Sequence, residues 1–355
     1  MGKQLSIDDL LTPVAIIDET IMETNVRVTQ NYFDQIGRAF RPHIKTHKIP
    51  SLAALQIAFG AQGINCQKIS EAEVFADAGF NDILITFNMM GAERLERLKV
   101  LNARVDLQVV ADNPVVVEGL ASRFEANQPL KVLVECDTGA GRNGVQTPDA
   151  AVTLARQIAE QAGLRFHGIL TYPKPNSESD VEAFFAETIR LLKKTGLECP
   201  VVSHGGSPSL FDSELVKSAT EHRAGTYIFN DRSLVRAGLC ALDDCAMNVI
   251  ATVVSRPTET RAVLDAGSKA LTSDLLGFPD HGLLVDYPDA SIQALSEEHA
   301  VVDLSNSKKK PEIGERVRII PNHTCVVSNL FDRLVFHRDG VVTRIEPVAA
   351  RGQVV

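Results

Sequence analysis

Residues 131–170 read KVLVECDTGAGRNGVQTPDAAVTLARQIAEQAGLRFHGIL. They hold a β-rich run (131–135), a glycine-rich turn (139–144), an amphipathic stretch (147–162) and a second β-rich run (166–170). A strand that returns through a helix to another strand is the repeating unit of a parallel sheet. The alternation extends both ways, with strand-like runs at 14–17, 63–65, 82–86, 106–110, 201–203 and 223–228. Helix-like stretches lie between them at 70–78, 91–102, 113–127 and 179–195. About eight such units in roughly 250 residues favour an α/β chain folded as a (β/α)8 TIM-type barrel over an open sheet.

After Asp244 the rhythm changes. Runs at 247–255, 261–265, 282–287, 299–303, 315–320, 324–327, 332–337 and 341–348 read as strands joined by short turns. The expected organisation is therefore a barrel over 12–240 and a mostly β C-terminal domain over 241–355, with 1–11 a candidate to join the second. A chain of 355 residues has room for both and for a sizeable core.

Composition narrows the class of partner. Hydrophobic residues make up 45% and charged ones 23% of a chain with net charge -9, which argues against nucleic acid or an anionic membrane as partner and leaves small molecules. Residues 1–13 lack the basic and then apolar pattern of a secretory signal, and no stretch approaches the roughly 20 apolar residues of a membrane span. A cytoplasmic protein is expected. Six scattered cysteines, Cys66, Cys136, Cys199, Cys240, Cys245 and Cys325, read as reduced thiols.

Barrel chemistry belongs at the carboxyl ends of strands. Arg41-Pro42-His43-Ile44-Lys45-Thr46-His47-Lys48 places one lysine among cationic and imidazole neighbours. Such crowding favours the neutral amine, which can form a Schiff base with an aldehyde cofactor, pyridoxal phosphate being the natural one. The bland alternative is a basic surface turn. Gly205-Gly206-Ser207-Pro208-Ser209 and Arg223-Ala224-Gly225-Thr226-Tyr227 fall late in the barrel, where glycine-rich turns expose backbone N–H groups to a phosphate. Arg142, in the turn after residues 131–135, offers a fixed fork to an anionic oxygen, with Glu135 and Asp137 placed to orient it.

Pro321-Asn322-His323-Thr324-Cys325 is the second signal. Residues two apart on a strand share a face, and imidazole with thiolate suits a borderline-soft cation such as zinc. Two ligands are too few for a closed site but suit an open, catalytic one. Asp265, at a strand end in Val263-Leu264-Asp265-Ala266-Gly267, is either a residue of the same cavity or a turn former.

With these residues in hand, the chain resembles the D-threonine aldolase and D-serine dehydratase family, pyridoxal-phosphate enzymes with an alanine-racemase-like barrel. The resemblance runs nearly end to end. It is carried by the stretches around Lys45, Arg142, Arg223, Asp265 and His323, and by Cys66-Gln67-Lys68-Ile69-Ser70-Glu71-Ala72-Glu73. It implies that Lys45 holds the cofactor covalently, that Arg142 meets the ring oxygen, that Ser207, Gly225 and Thr226 surround the phosphate, and that Tyr172 lines the pocket. It implies metal ligands at His323 and Cys325, with zinc, manganese or magnesium engaging a substrate β-hydroxyl. His43 and Asp265 are candidates to face the substrate.

Two departures bear on the reaction. Aldolases of this family tend to carry aspartate at the position of Cys325, whereas the dehydratases carry cysteine. They also tend to carry a Tyr-x-Gly stretch with a nearby histidine where this chain reads Tyr172-Pro173-Lys174. The shorter bacterial relatives that the chain resembles overall are aldolase-like. The expectation is retro-aldol cleavage of a D-3-hydroxy amino acid to glycine and an aldehyde. The alternative is a D-serine or D-3-hydroxyaspartate dehydratase releasing a 2-oxo acid and ammonia. A racemase would not need His323 and Cys325, and a pyridoxal-phosphate carrier would not need the β-rich tail. In related folds that tail covers a partner subunit's active site, so a homodimer is expected.

Overall fold

The computed structural model describes residues 4–355; residues 1–3 of the leading segment lie outside the described residues. In chain order the strands are β1 (Val14–Asp18), β2 (Ala39–Pro42), β3 (Ile64–Cys66), β4 (Asp82–Asn88), β5 (Asp106–Ala111), β6 (Leu130–Cys136), β7 (Leu164–Thr171), β8 (Val201–His204) and β9 (Glu221–Ala224). They continue with β10 (Met247–Thr258), β11 (Arg261–Leu264), β12 (Leu283–Leu284), β13 (Ser291–Leu295), β14 (Ala300–Asp303), β15 (Arg316–Ile320), β16 (Arg333–Arg338) and β17 (Val341–Pro347). Two compact units result. One gathers residues up to Val28 with Thr46–Ile49 and Thr226–Gly352, the other Thr29–Lys45, Pro50–Gly225 and Gln353–Val355.

The second unit is the barrel. Its strands run parallel in the order β2-β9-β8-β7-β6-β5-β4-β3. A parallel bridge between His43 and Asn65 brings the two ends of that order together. The helix after the glycine-rich turn shows why the alternation is readable. Thr147 Oγ1 accepts from Ala150 N at 3.2 Å, Pro148 fills the first position, and Ala151, Leu154, Ala155 and Ile158 form its buried stripe.

Inside the barrel Leu84, Val110, Leu133 and Leu170 pack as one apolar cluster. A charged layer lies nearer the strand starts. The buried Arg41 guanidinium reaches Glu221 Oε2 and Asp82 Oδ1, each at 2.7 Å, and Asp82 and Glu221 are the first residues of β4 and β9. Such a layer belongs to stability, since it sits away from the strands' carboxyl ends.

The first unit is β-rich. Its main sheet runs β13-β14-β11-β10-β1-β16-β17, with β15 pairing both β10 and β12. Ile16, Ile250 and Val335 form a core cluster there, flanked by Ile7, Leu10, Val14 and Val342.

Three local readings are corrected. The run at 14–17 is not a barrel strand: β1 pairs antiparallel with β10 and parallel with β16. The barrel's own strand is β2, whose short AFRP sequence carries the internal Arg41. An apolar run shows that a strand exists and not which sheet it joins. The segment after His323 is a helix, Thr324–Leu330, because Asp231 Oδ2 accepts from Thr324 N at 3.1 Å and so fixes its first turn. His323 and Cys325 are thus the residue before a helix and a residue of its first turn, not neighbours on a strand face. Residues 223–228 are the end of β9 followed by a tight turn, Thr226–Ile228.

Candidate active site

In the barrel unit the predicted residues follow the carboxyl ends of its strands. His43 and Lys45 come after β2, Arg142 after β6, Tyr172 after β7, Ser207 after β8 and Gly225 after β9. Lys45 is half-buried in the short turn Ile44–Thr46. Burial, reinforced by the Lys45 ammonium, holds the His43 imidazole neutral, well below its ordinary range. His43 Nε2 lies 3.1 Å from Gln67 Oε1, and Gln67 Nε2 donates to Thr86 O at 2.8 Å, so the imidazole is oriented by two further strand ends.

Arg142 lies over the Tyr172 ring, 4.7 Å from its centroid, and its Nη2 is 3.7 Å from Glu135 Oε1. Burial pushes Glu135 up to about 7 against the pull of Arg142 and Arg223. Glu135 Oε2 is buried with no hydrogen-bond partner among the described residues. Asp137 instead shapes the turn, accepting from the N–H groups of Gly139 and Gly141. Arg223 is buried, donating to Ser203 Oγ at 2.5 Å and Thr171 O at 2.8 Å.

The Gly205-Gly206-Ser207 turn is built for close approach. Gly205 has φ +124, and a Cβ on Gly206 would stand 2.8 Å from the Tyr172 ring. Buried Ser207 opens the helical turn that follows. A glycine turn walled by an aromatic ring, with an arginine over that ring, fits an anionic aromatic cofactor.

In the β-rich unit, Cys325 Sγ lies 3.1 Å from Thr46 Oγ1 and 3.6 Å from Thr226 Oγ1. These threonines are the chain neighbours of Lys45 and Gly225. His323 and Cys325 hydrogen-bond one another, and Asp274 Oδ2 lies 2.8 Å from His323 Nδ1. Burial would lower the imidazole, but the Cys325 thiolate and Asp274 outweigh it and push His323 up to about 9. Among the described residues no three His, Cys, Asp or Glu side chains converge as a closed metal cage. An imidazole–thiolate pair backed by a carboxylate fits a borderline-soft cation in an open site. Asp265 is engaged elsewhere, accepting from Thr12 Oγ1 at 2.5 Å and Thr252 N at 2.7 Å.

Sequence reasoning missed Asp274, Gln67's orienting role and Thr46. Asp274 stands 49 positions from His323, and nothing local marks it.

Residues 17–233 match the family described as "Alanine racemase, N-terminal domain", and residues 246–337 match a serine dehydratase domain. The chain is 33% identical to a D-threonine aldolase from Arthrobacter sp., over 96% of this chain and 93% of that one. This chain belongs to the D-threonine aldolase and D-serine dehydratase family, and it is a lyase. It is also 31% identical to the D-threo-3-hydroxyaspartate dehydratase of Delftia sp. strain HT23, over 90% of this chain and 92% of that one. The crystal structure of the Filomicrobium marinum D-threonine aldolase superposes with a TM-score of 0.91 at 32% identity, covering 100% of both chains. Among the described residues no helix is long and apolar enough to cross a membrane.

Proposed function

We propose that the protein is a pyridoxal-phosphate- and divalent-metal-dependent lyase of D-3-hydroxy-α-amino acids, cleaving them in the manner of a D-threonine aldolase to glycine and an aldehyde. The observation that carries this reading is the donor pair His323 and Cys325 set against Thr46, the residue that follows Lys45. When bound, pyridoxal phosphate supplies an electron sink for charge developing at Cα, and zinc, manganese or magnesium supplies Lewis acidity toward a β-hydroxyl.

The chain's own residues divide the remaining work. Lys45 would supply the amine that holds the aldehyde, and its Nζ is placed to act as a base. Arg142 fixes an anionic oxygen while Tyr172 packs beneath it; Ser207, Gly225 and Thr226 hold the phosphate. His323 and Cys325 hold the cation, with Asp274 fixing the imidazole's orientation. His43 stays neutral and can accept a substrate hydrogen bond.

Cys325 favours a second reading, because cysteine at this position is the dehydratase pattern. In that outcome the Lys45 amine would take the Cα proton and hydroxide would leave from Cβ, whereas in the aldolase outcome the β-hydroxyl proton would pass to solvent water, its O–H pair would form the aldehyde carbonyl, and the Cα–Cβ pair would stay on Cα. We further read the protein as a cytoplasmic homodimer; a monomeric mass in solution would remove the dimer.

The test is stereochemical and metal-dependent. Loaded protein is given D-threonine and L-threonine, before and after chelation. Turnover of the D-isomer alone is expected, lost on chelation and restored by manganese. Equal turnover of both isomers, or indifference to chelation, would contradict the proposal.

A further inference from the structure

The helix Ile69–Asp77 follows the carboxyl end of β3 and lacks a side-chain cap of its own. Lys68 precedes it, and an ammonium group cannot accept from the orphan N–H groups of a first turn. An oxygen from 285 positions away takes that place. Val355 O accepts from Ser70 N at 3.2 Å and from Ser70 Oγ at 2.9 Å, and Ser70 is buried. The next residue, buried Glu71, turns back over the helix start, its Oε2 accepting from Gln67 N at 2.7 Å.

Gln67 in turn decides the state of the imidazole two residues before Lys45. Thr86 O is a carbonyl and can only accept, so the Gln67 atom 2.8 Å from it is the amide nitrogen. The amide oxygen therefore faces His43 Nε2 at 3.1 Å, and that ring nitrogen must carry the proton. Nδ1 is left with the lone pair, buried and with no hydrogen-bond partner among the described residues.

We propose that Ser70 and Val355 are positioning residues of the active site, which close the helix Ile69–Asp77 and so hold Gln67 where it keeps His43 as the Nε2–H tautomer. Their part in the reaction rests on the placing of His43 and Lys45 in that site. Neither residue need touch substrate or cofactor. Without Val355 O, a buried N–H and a buried hydroxyl lose their acceptor, and the helix start that carries Glu71 and Gln67 loosens. Once Gln67 moves, nothing holds the proton on Nε2. His43 then samples the Nδ1–H form, and the acceptor at Nδ1 is lost.

Full-length protein carrying nitrogen-labelled histidine is compared by NMR, with and without pyridoxal phosphate, with Ser70→Ala and with a variant that stops after Gly352. His43→Gln assigns the His43 signals. The parent should show one tautomer at His43, protonated on Nε2. In both variants the two ring-nitrogen signals should move toward one another, and amide exchange across residues 65–73 should quicken about tenfold, the equivalent of one lost hydrogen bond. These readouts do not need turnover, so they separate the proposal from the choice of reaction. In loaded protein kcat should fall while KM holds. Should a variant fail to fold, the parent decides, with slow exchange at the Ser70 amide and a single tautomer supporting the proposal. A parental Nδ1–H form, fast exchange at parental Ser70, or folded variants that keep the parental tautomer would each overturn it.

Discussion

Asp274 Oδ2 and His323 Nδ1 are 2.8 Å apart, so the imidazole proposed as a metal ligand has one ring nitrogen committed to a carboxylate, while its ring also bonds Cys325. A carboxylate in this place fixes ring orientation and raises ligand basicity, and losing it typically weakens metal binding about 10–100-fold. Asp274→Asn should therefore lower affinity for zinc or manganese by that factor, as measured by competition against a chelating dye. An unchanged affinity would reduce Asp274 to a structural partner.

Lys45→Ala should abolish the visible absorbance of bound pyridoxal phosphate together with turnover, since the alanine has no amine to join the aldehyde. The secondary structure should remain, because Lys45 lies in a short turn after β2 and not inside a strand. A variant that keeps the absorbance would show that another lysine carries the cofactor.

Arg41 is paired with Glu221 and Asp82 inside the barrel. Removing Arg41 leaves the buried Glu221 charged in a poorly solvated place. Arg41→Ala should cost about 3–5 kcal/mol of stability by denaturant titration. A loss below about 1 kcal/mol would mean that water solvates the cluster.

The barrel is legible in residues 131–170 because each signal there is local: a β-rich run, a turn of glycines, a proline-led helix with an apolar stripe. Lys45 and Arg142 are legible for the same reason, as each stands in an unusual turn after a strand. The placement of β1 is not legible, because its partners Met247–Ile250 and Val335–His337 are more than 200 residues away. Nor is the helix after His323, whose first turn is set by Asp231. His-x-Cys spacing gives two donors but not the backbone that carries them.

Acid should destabilise the fold early. His204 and His222 are buried in edge contact, with ring nitrogens 3.4 Å apart. Burial, with Arg38 and Arg223 nearby, depresses His204 to about 3 and holds His222 well below its ordinary range. The unfolded chain takes up protons below about pH 6.5 while the folded chain does not, so stability falls as pH drops through that value toward 3. Each histidine contributes a slope of up to about 1.4 kcal/mol per pH unit. Denaturant midpoints at pH 7.5 and 5 compare the two states, and His204→Gln should flatten the difference. A midpoint independent of pH in this range would contradict the assignment.

The aldolase assignment stands or falls on the product partition from D-threonine, measured with protein loaded with pyridoxal phosphate and manganese. Glycine and acetaldehyde are quantified against 2-oxobutanoate and ammonia. Glycine and acetaldehyde in equal amounts should be the dominant products. Dominant 2-oxobutanoate would refute retro-aldol cleavage and make Cys325 the mark of a dehydratase.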